Sequence, residues 1–498
     1  MISLPKKTRQ KEINMTFDTL TPKNVFKHFK SISDIPHCSH DEKKISDMLV
    51  TFAKDNGLDV IQDDAYNIYI KKPASKGYED APTVILQGHM DMVCAKTKGS
   101  DFDFENDGLT LEVNGDYLTA KDTTLGADNA VAVAMIMAIL EDKTLKHPPI
   151  EGLITVGEEV GMLGVSKMNP DHLNGDILIN IDAEDEGVFF ASCAGGARNL
   201  LTLNGEKQLD TRLAYTVSVE GLLGGHSGME IDKGRANAIH LLGRVLDALD
   251  KEVPYKLHRI EGGEKMNAIA KIAYADISFE ESDTASVNDV LATMQNAFKD
   301  EYGATDKDIT LSLSKETKPS SPFTDLSKEK LIGILRLMPT GINTLSHEIK
   351  GLVESSTNLG VVSTDGNEVT FESAIRSSKR THKEEILNRI DHVGSAFGAH
   401  TTISASYPEW AYKKDSPLRS LMRTTYETLS GKPSRVEAIH AGLECGFLQE
   451  KLGDIDIIAF GPNILDVHTP GEKLDVLSTE RSYTLLKDTL SKITKTFN

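Results

Sequence analysis

The sequence predicts an α/β fold, a mostly parallel sheet with flanking helices, into which an α+β domain of two ferredoxin-like units is inserted. Three observations lead there. Strand and helix patterns alternate up to about residue 195, a different texture runs from about 198 to 407, and the α/β alternation returns from Ser416. At 498 residues the chain is too long for one ordinary core. The expected division assigns residues 1–197 and 408–498 to the two parts of the α/β domain and 198–407 to the insert.

The first clear helix is expected behind the capping box Ser39-x-x-Glu42. Ile45, Met48, Leu49 and Phe52 form one face, and Gly57 stops it. Apolar runs over 83–86, 153–156 and 177–181 read as buried strands. The longest apolar stretch, 130–140, is too short to span a bilayer and reads as a core helix. The insert opens with strand 213–219, helix 236–249, strands 255–260 and 269–279, helix 287–298 and strand 309–313. A second series follows: helix 328–337, strands near 360–362 and 369–373, helix 383–397 and strand 401–406. Each series has the order β-α-β-β-α-β, so two such units are expected in succession. Strand 455–460 and a final helix close the chain.

The formal net charge of −20 argues against nucleic acid or an anionic membrane surface as partner, since both would repel the chain. Cys38, Cys94, Cys193 and Cys445 lie far apart and form no CxxC pair. Neither a disulfide framework nor a thiolate metal site is expected, and a reducing, cytoplasmic location is the simpler reading. Lys6, Lys7, Arg9 and Lys11 have no apolar run behind them and do not read as a signal peptide; residues 1–14 are expected to fray.

The informative feature is where polar residues fall after the apolar runs. His89 and Asp91 follow the first strand in Gln-Gly-His-Met-Asp, Glu158-Glu159 follow the second, and Asp182 follows the third. A loop leading to His468 follows the last strand, and Asp128 stands where the apolar helix begins. Ligands of parallel sheets gather beyond the carboxyl ends of strands, so these positions can converge on one crevice. Each feature alone has a plainer reading. HxD is a common tripeptide, Asp before a helix is commonly an N-cap, a Glu pair is often a solvated loop, and His before Thr-Pro is often a turn residue.

Taken together, His89, Asp128, Glu159, Asp182 and His468 point to a centre for two divalent cations. Three carboxylates and one hydroxide would balance four positive charges, which favours deprotonating water near neutral pH. Asp128 is the expected bridge. Mixed imidazole and carboxylate ligands suit Zn²⁺, with Mn²⁺ or Co²⁺ as alternatives. Asp91 is placed to accept the second ring N–H of His89. Glu158, whose side chain points away from that of its neighbour, is free to act as general base.

In the insert, Gly224-Gly225-His226-Ser227-Gly228 presents one imidazole on a flexible loop, either as an incidental turn residue or as a donor to a developing oxyanion. Arg376 can bind a carboxylate bidentately or form a surface ion pair. Spacing alone assigns nothing to Asn267 or Gly442, and Cys193 and Cys445 read as buried apolar residues rather than nucleophiles.

At these residues the chain resembles the aminoacyl-histidine dipeptidases, also called cytosol non-specific dipeptidases, within the M20 metallopeptidases. The likeness runs through nearly all of the chain beyond the first twenty or so residues. Its most specific motifs are CAGG at 193–196, GGHSG at 224–228 and IHAGLECG at 439–446.

The resemblance implies that His89, Asp128 and Asp182 hold one metal and Asp128, Glu159 and His468 the other. It further implies Glu158 as general base, Asp91 as orienting carboxylate, and His226, Asn267, Arg376 and Gly442 as substrate-binding positions. The insert would act as a lid and mediate homodimers, which would let His226 serve the partner's active site. Three departures stand out: Gly157 where relatives often carry an acidic residue, Thr469 where Ser is frequent, and residues 1–14 ahead of the usual start, with Met15 as an alternative one.

The expectation is therefore a homodimeric, cytoplasmic, zinc-dependent hydrolase of dipeptides, including Xaa-His. An amidohydrolase of N-acyl amino acids is the first rival. A peptide-binding protein without turnover is the second, disfavoured because such a binder has no need of Glu158.

Overall fold

The computed structural model describes residues 16–210, 212–315 and 321–497. The expected fraying of 1–14 and the alternative start at Met15 lie outside the described residues. Two compact units emerge. The first comprises Met1–Ala191, Lys413–Glu437 and Phe447–Asn498; the second comprises Ser192–Tyr412 and Ala438–Gly446. The insert thus begins a few residues before 198, and a short stretch near 440, expected in the α/β domain, belongs with it.

The first unit is built on an eight-stranded sheet. Its strand order is Asp59–Gln62, Ile68–Lys72, Ile150–Thr155, Val84–His89, Ile177–Asn180, Asp456–Ala459, Val188–Cys193, Arg435–Ile439. The four middle strands, from Ile150–Thr155 to Asp456–Ala459, run parallel and are buried along their whole length. Such strands are covered on both faces and read as continuous apolar runs, which is why they are visible in the sequence.

Helix Ala127–Glu141 carries the apolar stretch and is buried on every side, as expected of a core helix. It packs on strand Val84–His89 and on a helix the sequence reading missed, Lys23–Ser33. The next helix spans Lys43–Asp55 with no side-chain cap at Glu42. The expected capping box is therefore absent: Ser39 and Glu42 point their polar atoms elsewhere. A small antiparallel sheet pairs Ile464–Leu465 with Lys473–Asp475, so residues 466–472 form its loop.

Cys38 and Cys94 form a disulfide with Cα atoms 5.7 Å apart, contrary to the expectation of four unpaired cysteines. A parallel bridge between Cys38 and Met92 brings the two segments together, a juxtaposition that sequence spacing does not reveal. Cys193 and Cys445 are free and buried, and burial pushes the Cys193 thiol up to about 11. Among the described residues no helix is long and apolar enough to cross a membrane.

The second unit holds a nine-stranded sheet. The order is Thr310–Lys315, Ala214–Glu220, Ala273–Ser278, Lys256–Gly262, Val353–Asp365, Glu368–Ser377, Gly195–Asn204, His400–Tyr407, with Gly341–Leu345 pairing Val353–Asp365 off this path. Both β-α-β-β-α-β sets are recognisable, but they are nested rather than successive. Strand Gly195–Asn204, missed in the sequence, pairs with Glu368–Ser377 and His400–Tyr407 far later in the chain, so the first set lies inside the second.

Candidate metal centre

Three strand ends and two loops of the first unit deliver the site. His89 is the last residue of its strand, Glu158-Glu159 follow Ile150–Thr155, and Asp182 follows Ile177–Asn180. Asp128 lies in the first turn of its helix with non-helical dihedrals, φ −80° and ψ 99°. His468 comes from the 466–472 loop.

These side chains converge as two ligand sets, His89–Asp128–Asp182 and Asp128–Glu159–His468. The Asp128 Oδ1 lies 3.1 Å from His89 Nε2, and its Oδ2 lies 3.3 Å from His468 Nε2. Asp182 Oδ1 is 3.5 Å from His89 Nε2, and Glu159 Oε1 is 3.0 Å from His468 Nε2. Ligand atoms bound tetrahedrally at about 2.0–2.1 Å are separated by about 3.3–3.4 Å. The observed spacings bracket that value, so the donor set fits two divalent cations with Asp128 between them. Glu158, His89 and Glu159 form a third close group, which keeps Glu158 beside the centre.

The electrostatics are those of a crowded anionic pocket. Burial pushes the Asp182 carboxyl up to about 6. Burial also opposes ionisation of Asp128, yet hydrogen bonds from His468 and His89 hold it well below the usual carboxylate range. Hydrogen bonds to Asp128 and Glu159 raise His468 to about 10. A divalent cation at each imidazole would displace the proton held there.

Around the ligands, the backbone is pinned by side chains. Asp91, with a fully buried side chain, accepts from the Glu158 N–H (3.0 Å) and the Glu159 N–H (3.3 Å), and from the Ser39 hydroxyl (2.8 Å). His89 Nδ1 lies 3.0 Å from the Asp91 backbone oxygen and 3.4 Å from its carboxylate. Asp91 therefore touches the expected imidazole and, more closely, the segment bearing Glu158.

Glu42 accepts from the Gly157 N–H and Asn67 from the Val156 N–H, so every N–H from Val156 to Glu159 ends on a side chain. Asn129 ties two ligand strands together, donating to the Ile181 oxygen and accepting from the His89 N–H. Thr469 accepts from the Gly471 N–H through its hydroxyl, a turn contact that Ser could equally make. Ser39, Glu42, Asn67 and Asn129 were not singled out in the sequence. Their types suit turns and caps so well that nothing marked them.

The remaining candidates lie in the second unit. His226 Nδ1 accepts from the Gly228 and Met229 N–H groups at 3.2 and 3.0 Å. In the neutral ring this leaves the proton on Nε2, which makes that atom a donor. Burial, reinforced by the Arg376 charge, lowers the His226 pKa. Arg376 donates to the Tyr407 hydroxyl at 3.1 Å, and its Nε is buried without a hydrogen-bond partner among the described residues.

Gly228 is needed here for space: a Cβ there would stand 2.6 Å from the His440 oxygen, 3.0 Å from Arg376 Nε and 3.1 Å from His226 Cε1. Gly196 is needed likewise, since a Cβ would meet the Tyr407 ring at 2.4 Å. His440, missed in the sequence, is buried, bonds Ser356 through Nε2 at 2.7 Å, and is pushed down to about 3 by burial and then by Arg376. The structure thus gathers His226, Arg376 and His440. Asn267 joins only through its backbone oxygen, which accepts from the Ser227 N–H, while its side chain is exposed. Gly442 follows His440 by two residues, without a recorded side of the cluster to itself.

Comparison with known proteins was made against this geometry. Residues 217–306 match the peptidase dimerisation domain of the M20 type. The chain is 35% identical over 476 residues to the cytosol non-specific dipeptidase of Escherichia coli (strain K12), covering 95% of this chain and 98% of that protein. It superposes on aminoacylhistidine dipeptidase from Vibrio alginolyticus with a TM-score of 0.93 at 34% identity, covering 97% and 99% of the two chains. A tripeptidase from Staphylococcus aureus shares the fold at a TM-score of 0.54 and 15% identity, covering 95% of this chain and 99% of that one.

Proposed function

The chain belongs to the family of cytosol non-specific dipeptidases among the M20 peptidases, and we propose that His89, Asp128, Glu159, Asp182 and His468 form its catalytic metal centre. The protein is a metal-dependent hydrolase of dipeptides that works with two divalent cations. The observation carrying the site assignment is Asp128, whose two oxygens face two different imidazoles. Zn²⁺ is the proposed metal, on the strength of the imidazole and carboxylate donors, with Mn²⁺ or Co²⁺ as substitutes.

When bound, the cations supply Lewis acidity toward water and the scissile carbonyl and stabilise developing negative charge. Glu158 takes the proton from the attacking water and passes it to the leaving amine. Asp91 orients both His89 and the Glu158 segment. His226 offers its Nε2–H to the oxyanion. Arg376, whose Nε lacks a partner, binds the free carboxylate of the dipeptide, with Asn267 and Gly442 assigned to the same recognition on family likeness.

Broad dipeptide specificity that includes Xaa-His, a homodimer built through the inserted domain, and a cytoplasmic location complete the proposal. The dimerisation-domain match and the kinship with a cytosol dipeptidase support these points. The test compares hydrolysis of Gly-His with that of an N-acetyl amino acid, with and without a chelator. Chelator-sensitive cleavage of Gly-His is expected. Preference for the N-acetyl substrate would transfer the assignment to an amidohydrolase, and turnover untouched by thorough metal removal would overturn the metal centre.

A further inference from the structure

We infer that Glu472 is a positioning residue that sets the bridging carboxylate Asp128 in place, an inference that rests on the two-metal reading above. Its carboxylate lies in the same loop as His468 and is 3% exposed. Oε2 accepts from the Leu125 N–H at 2.9 Å and the Gly126 N–H at 3.0 Å. Oε1 accepts from the Ala127 N–H at 2.7 Å and the Asp128 N–H at 3.3 Å. Four consecutive backbone donors therefore converge on one side chain that arrives from 344 to 347 residues away.

This is more than a helix cap. Asp128 and Asn129 have non-helical dihedrals, and Gly126 sits at φ 65°, so the segment before the regular helix is a curled run of N–H groups rather than a helical turn. A concave run of this kind needs an anion at its focus to hold its shape. Leu125 and Ala127 are wholly buried, so no solvent replaces a missing acceptor on their side.

The same short loop thus contributes one metal ligand, His468, and fixes the backbone of the ligand shared by both metals. Bridging demands both Asp128 oxygens at once, so a shift of its backbone disturbs both sets together. The charge distribution agrees with the geometry: burial pushes Glu472 up to about 7, and the donors from Gly126, Asp128 and Ala127 work against that by favouring the anion.

The chemistry of the replacement makes the idea testable. Glutamine is nearly isosteric but offers one acceptor and one NH₂ donor, whereas both oxygens of Glu472 accept. Glu472→Gln therefore sets a donor against two N–H groups, while Glu472→Asp keeps two acceptors on a shorter arm.

The experiment titrates Co²⁺ into the metal-free full chain of the wild type, Glu472→Gln and Glu472→Asp. It follows the visible d–d spectrum, with circular dichroism to confirm folding. Wild type should take up two Co²⁺ per chain. Glu472→Gln should bind at least tenfold more weakly with an altered spectrum and lose kcat with KM little changed, and Glu472→Asp should recover part of both.

A folded Glu472→Gln that binds two Co²⁺ with wild-type affinity and spectrum would overturn the inference while leaving the metal centre intact. A wild type that binds no Co²⁺ would remove the two-metal reading itself, and this inference with it. Hydrogen exchange on the metal-free wild type gives a readout independent of any variant. The amides of residues 125–128 should stay protected without metal, and exchange at the rate of open loops would equally overturn the positioning role.

Discussion

Replacing Asp91 by Asn changes one atom of a side chain that is fully buried. Its two oxygens accept from the Glu158 and Glu159 N–H groups and from Ser39, so in either orientation the new NH₂ faces a donor. One charge-assisted hydrogen bond is lost, worth about 1.5–3 kcal/mol, and no water enters to replace it. If that energy holds Glu158 in its productive position, the loss appears in the transition state as a roughly 10- to 100-fold fall in kcat. Ser39→Ala removes only a hydroxyl donor, with both backbone bonds kept, and should cost roughly 2- to 10-fold. The assay is steady-state Gly-His hydrolysis with metal content measured on the same samples. Asp91→Asn that keeps both metals and a kcat within about twofold of wild type would refute the assignment. Loss of kcat that tracks loss of metal would show that Asp91 acts through His89 alone.

Glu158→Ala should retain both metals and lower kcat by roughly 10²- to 10⁴-fold, the usual span for a general base; full activity with metal content confirmed would exclude it. Arg376→Ala should raise KM for dipeptides with a free carboxyl terminus and leave C-terminally amidated analogues, already poor substrates, little affected; an equal change for both would place Arg376 outside carboxylate recognition. His440 gives a stability prediction with a definite sign. Its folded pKa of about 3 lies below the ordinary 6.5, so between these values the unfolded chain takes up a proton that the folded one refuses. Stability is full above 6.5 and falls as the pH drops toward 3, by at most about 1.4 kcal/mol per unit. His440→Asn should flatten that limb of a Tm-against-pH curve over pH 4–7, whereas parallel curves for variant and wild type would show that His440 is not its source.

Central parallel strands were legible because burial on both faces leaves an unbroken apolar signature, as in Val84–His89 and Ile150–Thr155. Their ends then located the ligands, since the sheet topology sends whatever follows each strand to the same edge. Local pattern failed where a residue's partner is remote. Ser39 and Glu42 have the spacing of a capping box, but Asp91 engages the first and the Gly157 N–H the second. Strand Gly195–Asn204 is not set off by turn signals, and its neighbours, Glu368–Ser377 and His400–Tyr407, come more than a hundred residues later, so the nesting of the insert had no local trace. Cys38 and Cys94 were distant for the same reason.

The candidate site shows a matching division between what carries chemistry and what holds it. Imidazoles and carboxylates at strand ends are conspicuous because few structural roles call for them there. Glu42, Asn67, Asn129 and Glu472 are the opposite case: each spends its polar atoms on backbone N–H or C=O groups, and any loop can contain such a residue. Yet these contacts explain how ligands so far apart in the chain keep their spacing. Asn129 joins the His89 strand to the residue before Asp182, Asp91 joins the HxD loop to the Glu pair, and Glu472 joins the His468 loop to Asp128. Every ligand is therefore fastened to another through main-chain hydrogen bonds. A change at a fastening residue should disturb two ligands at once, whereas a change at a ligand removes one donor and leaves the frame in place.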